Sequence, residues 1–110
     1  MPVGADRQYL PSKTINVVAQ ASIIRFRHLV RTLNYVVSTH AAEELDDDSL
    51  TILDLENIVL TGQVVERQRD SQTSEAKYRI AGFTLDGCSA EAVVKIGHTG
   101  KLVVITVYVC

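Results

Sequence analysis

Lys77-Tyr78-Arg79-Ile80-Ala81-Gly82-Phe83-Thr84-Leu85-Asp86-Gly87-Cys88-Ser89-Ala90-Glu91-Ala92-Val93-Val94-Lys95-Ile96 decides the fold. Aromatic and β-branched residues crowd both arms, and Asp86-Gly87 between them is a turn signal. The stretch therefore reads as two antiparallel strands, Lys77 to Leu85 and Ala90 to Ile96. Toward the C-terminus, Gly97-His98-Thr99-Gly100 is a tight turn into a further strand, Lys101 to Val109. Toward the N-terminus, Val64 and Val65 open a strand that continues through Glu66-Arg67-Gln68-Arg69, and the polar run Asp70 to Ala76 is a hairpin loop. Four strands in succession form a meander.

The apolar period changes before Gln63. Ile15, Val18, Ile23, Phe26, Val30 and Leu33 recur at spacings of three to five residues, which predicts a helix with Ser12 or Thr14 as its cap. Arg25, Arg27, His28 and Arg31 gather in its C-terminal half, where positive charge meets the negative end of the helix dipole. Asn34 is a helix stop, and Tyr35-Val36-Val37-Ser38 has the composition of a short strand. A second helix begins near His40 behind Ser38 or Thr39 and is broken by Asp46-Asp47-Asp48-Ser49. Leu53, Leu55, Ile58, Val59 and Leu60 predict a third, ending at Gly62. The expected organisation is one α+β domain over residues 1–110: a loosely ordered start over 1–13, a mostly helical half over 14–62 and a sheet half over 63–110. Its N-terminal helices pack on one face of a mainly antiparallel four- or five-stranded twisted sheet.

Composition narrows the function classes. At 110 residues and 46% apolar content the chain has the material for one core without staples. Charges interrupt every apolar stretch before the ~18–20 residues needed to span a bilayer, and Met1 to Lys13 lacks a secretory pattern, so no membrane partner and a cytoplasmic location are expected. Cys88, Cys110, His28, His40 and His98 match no metal spacing, and no glycine-rich phosphate loop follows a strand, so neither metal nor cofactor is expected. A net charge of -2 supplies no overall field for nucleic acid. The charges are nonetheless segregated. Residues 1–40 hold five basic groups against one acid, residues 41–66 hold eight acids and no base, and from Arg67 the balance is six bases to four acids. An anion site would use the two ends of the chain and avoid its middle.

Several segments carry a family resemblance. They are Tyr35-Val36-Val37-Ser38-Thr39-His40-Ala41-Ala42-Glu43-Glu44-Leu45, Leu55-Glu56-Asn57-Ile58, Thr61-Gly62, Val65-Glu66-Arg67-Gln68, Tyr78-Arg79-Ile80-Ala81-Gly82, Val93-Val94-Lys95 and Gly100-Lys101-Leu102-Val103-Val104-Ile105-Thr106-Val107-Tyr108. In order and spacing they resemble the bacterial domain of unknown function family 4258, from about Ile24 to Tyr108. Members of that family look similar to RelE-like and MqsR-like toxin ribonucleases, and many are encoded beside a zinc-finger antitoxin of the YgiT or MqsA type. The resemblance implies a RelE-like fold, a type II toxin acting as a metal-independent endoribonuclease on RNA, and a zinc-finger antitoxin as partner.

Such a nuclease needs a base for the ribose 2′-hydroxyl, cations for the phosphate and an acid for the leaving oxygen. His40, at the first turn of a helix and beside its free amides, is the candidate acid or base; a helix-start histidine bonded to nearby backbone is the structural alternative. Lys95 interrupts an apolar strand, so its ammonium must reach open water or an acid. Arg67 and Arg79 stand on neighbouring strands with forks suited to phosphate, while cross-strand pairing with Glu66 or Glu91 explains them without a ligand. Tyr108 alternates with Thr106 and Val104 on one face, opposite Val103, Ile105, Val107 and Val109, which puts its hydroxyl on the open side if the valines meet the helices. One of Glu43 and Glu44 can orient His40, because adjacent helical residues do not face the same way. The candidate catalytic set is His40, Arg67, Lys95 and Tyr108. The rival expectation is a non-catalytic module that binds a protein through its sheet edge or acidic helical surface.

Overall fold

The computed structural model describes the backbone of residues 3–110 and the side chains of residues 17–110. The elements in chain order are α1 (Val3–Arg31), β1 (Tyr35–Val37), α2 (Thr39–Asp47), α3 (Ile52–Thr61), β2 (Gln63–Arg69), β3 (Ala76–Phe83), β4 (Ser89–Ile96) and β5 (Leu102–Val109). The backbone of α1 begins at Val3, which corrects the expected loose start over residues 3–13 and the helix start behind Ser12 or Thr14; the place of Ile15 in the stripe lies outside the residues whose side chains are described.

The strands form one five-stranded sheet in the order β1-β5-β4-β3-β2. β2 to β5 are the expected antiparallel meander, and β1 joins the far edge parallel to β5 through Tyr35↔Leu102 and Val37↔Val104. The fold is therefore α+β with a mixed sheet. Ile23, Phe26 and Val30 of α1 and Leu55, Ile58 and Val59 of α3 are buried with Ile80, Ala92, Val94, Leu102, Val104 and Val107 of the strands. The Phe26 ring meets Tyr78 edge-on, with centroids 5.0 Å apart.

Each helix stops where its residues dictate. Leu33, at φ 60°, takes the left-handed position after α1, and the Asn34 amide then donates to the Leu29 carbonyl at 2.8 Å. The expected stripe is therefore shorter than its period: Val18 and Leu33 are exposed, Leu33 at 72%. Ser38 caps α2 by accepting from the Ala41 amide at 3.0 Å. Thr51 and Asp54 form a capping box at the start of α3. The Asp54 carboxylate also accepts from the Leu85 amide at 2.9 Å, fastening the β3–β4 turn to that helix. At the other end of α3, Arg27 donates to the Gly62 carbonyl at 2.8 Å.

Two bulges reset which residues face the core. On β2 the pairing passes from Val64↔Ile80 to Glu66↔Arg79, so Val65 is the extra residue. On β5 it passes from Val94↔Val104 to Val93↔Thr106, so Ile105 is extra. The simple alternation expected for the last strand is corrected accordingly. Val104 and Val107 both face the helices, whereas Val103, opposite Lys95, shares the other face with Thr106 and Tyr108.

Candidate functional site on the open sheet face

α1 and α3 cover one face of the sheet and leave the other to polar side chains. In an antiparallel pair, directly opposed residues point the same way. The register therefore assembles a row across the open face: Tyr108 opposite Glu91 and Arg79 opposite Glu66, with Val93 between Arg79 and Thr106. Tyr108 Oη donates to Glu91 Oε1. Arg79 is held from both sides, its Nε 2.9 Å from Glu66 Oε1 and its Nη1 2.8 Å from Glu91 Oε1. Gln68 Nε2 donates to Glu66 Oε2 at 3.0 Å and extends the row along the edge strand β2.

His40 enters from the other edge. Past Val37 the chain leaves β5, so the Val107 amide has no strand neighbour, and α2 supplies Glu44 Oε1 as its acceptor at 2.9 Å. The same oxygen accepts from Thr106 Oγ1 and stands 3.4 Å from His40 Nε2. The His40 side chain is 69% exposed. Glu44, not Glu43, is thus the neighbour that orients it, one helical turn on. Thr106 and Tyr108, two residues apart on one face, are separated by about 7 Å, so the imidazole and the phenol flank one stretch of β5.

The other two residues of the candidate set lie elsewhere. Lys95 shares the open face but is four residues from Glu91 along β4, about 13 Å away at strand rise. Its Nζ pairs with Glu75 at 3.2 Å. Arg67 is on the helix side: the Val65 bulge turns it opposite Tyr78, and its guanidinium lies 5.8 Å from that ring's centroid. The expected company of Arg67 with the other cations is corrected by this bulge, and Arg79 occupies the corresponding place on the open face. Lys77, Gln68 and Thr106 also belong to this surface. Alternation along β3 could have flagged Lys77, and alternation along β5 placed Thr106 with Tyr108, but Gln68 follows a bulge that no local pattern announces.

Hydrogen bonding sets the charge states. The Tyr108 hydroxyl, then Arg79, hold the Glu91 carboxyl below its usual range. Arg79, then Gln68, do the same for Glu66, and Lys95 does so for Glu75. Glu91 in turn raises the Tyr108 hydroxyl, which keeps its proton at neutral pH. A carboxylate whose folded value is depressed stabilises the fold above its unfolded value and loses that contribution as pH falls through the folded one. Stability is therefore expected to fall as the pH drops below about 4.5, the ordinary glutamate value. Acid titration followed by circular dichroism should give a lower unfolding midpoint for wild type than for Arg79→Met, which loses the cation shared by Glu66 and Glu91. Identical midpoints would show that this row does not contribute.

Among the described residues, no group of three or more His, Cys, Asp or Glu is placed to hold a metal ion. No helix among them is long and apolar enough to cross a membrane.

The fold and site define a small α+β domain with a polar sheet face. A family described as Domain of unknown function (DUF4258) matches residues 37–109, and the chain belongs to that family. No curated protein and no solved structure matches it.

Proposed function

We propose that the open sheet face binds RNA and cleaves it without a metal, in the manner of a RelE-like toxin. The observation that supports this reading is a pair of hydrogen-bonded groups, His40–Glu44–Thr106 and Tyr108–Glu91–Arg79, which meet β5 two residues apart and give one sheet face an imidazole, a protonated phenol and a guanidinium. In the reaction, His40 takes the proton of a ribose 2′-hydroxyl, and the freed oxygen attacks the adjacent phosphorus. Arg79 balances the charge gathering on the phosphoryl oxygens, the bond to the 5′-oxygen breaks, and Tyr108 gives that oxygen its proton. The products are a 2′,3′-cyclic phosphate and a 5′-hydroxyl end. Lys95 holds the strand further along β4. Arg67, across the sheet, is left out of the site. The chain acts in the cytoplasm and is silenced by a separate zinc-finger antitoxin that covers this face.

Incubation of the purified chain with end-labelled single-stranded RNA in EDTA tests the reading. Wild type is expected to leave cyclic phosphate ends, and His40→Ala, Arg79→Ala and Tyr108→Phe are each expected to slow cleavage by about 100-fold or more. Lys95→Ala should weaken RNA binding with a smaller effect on the cleavage step. Absence of cleavage, or variants as fast as wild type, overturns the assignment.

A second reading, a protein-interaction module, is favoured by α1. Val17 and Ile24 are 65% and 64% exposed and stand two helical turns apart on one side of the helix, outside the core. Under that reading the three open-face variants leave partner capture intact, while Ile24→Lys abolishes it.

A further inference from the structure

Beside Arg79 the open face dips into a depression of about 150 Å³, lined by Glu66, Gln68, Lys77, Tyr78, Arg79 and Val93. A dry cavity of about that volume accepts one six-membered aromatic ring, as benzene shows in an engineered site, so the space suits a pyrimidine better than a two-ring purine. Val93 contributes an apolar side chain for the flat of the ring. The polar lining is asymmetric. Glu66 offers carboxylate oxygens, which only accept; Lys77 offers an ammonium, which only donates. Lys77 has no ion-pair partner among the described residues, in contrast to Arg79 and Lys95. The Gln68 amide stands between these opposite demands, bonded to Glu66 Oε2 at 3.0 Å.

We propose that this depression is a base-reading subsite for cytosine in an RNA strand; it rests on the reading of this face as the RNA-binding one. The exocyclic amine of cytosine is a donor that meets Glu66, and its ring N3 and O2 are acceptors that meet Lys77 and Gln68. Uracil reverses both groups. Its O4 would face the Glu66 carboxylate and its N3–H the Lys77 ammonium, acceptor against acceptor and donor against donor. With Arg79 on the rim of the same depression, a phosphate of the strand carrying that base falls beside the guanidinium.

The test is a titration of the full-length, isotope-labelled chain by NMR with the ribo-oligonucleotides UUCUU, UUUUU and UUAUU and with cytidine monophosphate. UUCUU is expected to bind about tenfold more tightly than UUUUU, the discrimination of one good polar pairing, and more tightly than UUAUU, whose two-ring base the depression does not seat, and than the mononucleotide. The shifted amides should centre on residues 66–68, 77–79 and 93. Glu66→Gln, whose amide can also donate to O4, should bring UUUUU to within about threefold of UUCUU. Lys77→Met leaves the Glu66–Arg79 pair untouched and should likewise erase the preference, so a misfolded Glu66 variant does not decide the matter. Equal affinities for the three oligonucleotides, a mononucleotide that binds as tightly as UUCUU, or shifts centred elsewhere overturn the subsite. Cleavage of the same RNAs is scored separately. Preferential binding without cleavage removes the nuclease reading alone, and cleavage without base preference removes the subsite alone.

Discussion

Gly82→Ala is expected to lower the melting temperature by more than 10 °C, a loss of at least about 3 kcal/mol in a domain of this size. A Cβ on Gly82 would lie 2.1 Å from the Ile58 carbonyl oxygen and 3.0 Å from Gly62 Cα. Both are backbone atoms, so no rotamer change relieves the clash. α3 would have to lift from β3, and with it Leu55, Ile58 and Val59, all buried against the strands. Gly87→Ala is the informative control. That glycine sits in a turn at φ 85° with nothing within 4 Å of an added Cβ, so its cost is confined to local strain of about 1 kcal/mol. Thermal denaturation of the two variants should separate them widely. If Gly82→Ala melts within 2 or 3 °C of wild type, about the effect of a small surface change, the close approach of α3 to the sheet is not a constraint on this fold.

Phe26→Ala is expected to be as damaging for a different reason. Phe26 is 1% exposed and supplies the edge-on partner of Tyr78, so truncation leaves a cavity beneath β3. Loss of a buried phenylalanine costs about 3–5 kcal/mol, against a total stability of about 5–15 kcal/mol for a small domain. The position matters beyond its size. Phe26, with Ile23 and Val30, lies outside residues 37–109 that match the family, yet the three belong to the same buried cluster as the strands. The matched segment alone lacks that cover for its sheet. Urea denaturation should show the midpoint of Phe26→Ala falling by about a fifth or more with the slope retained, and loss of open-face activity should follow without any change on that face. A shift worth less than about 1 kcal/mol would mean that α1 does not seal the core.

Both variants act through packing between elements, which is the level at which the sequence becomes hard to read. Helix and strand identities follow from local period, and the ends from Ser38, Asp86-Gly87 and Gly97 to Gly100, because capping and turn chemistry is decided within a few residues. Alternation put Tyr108 on the face away from the helices, and the pairing of Arg79 with Glu66 or Glu91 was open to the same reasoning. The bulges at Val65 and Ile105 were not. An extra residue is favourable only when the neighbouring strand and the layer behind it are in place, and each bulge exchanges the faces of what precedes and follows it. Alternation therefore failed for Val103, Val104 and Arg67.

By itself, the order of residues determined an α+β chain, its helices before its hairpins, and the residue types from which an anion-binding surface can be made. Tertiary structure alone decided that β1 returns to run parallel beside β5, that Glu44 closes the edge β1 leaves open, and that Arg79 rather than Arg67 stands with Tyr108 and Glu91. The physical reason is range. Caps and turns are settled by neighbours along the chain, whereas facing and convergence are settled by strand register, which only the assembled sheet and its buried side defines.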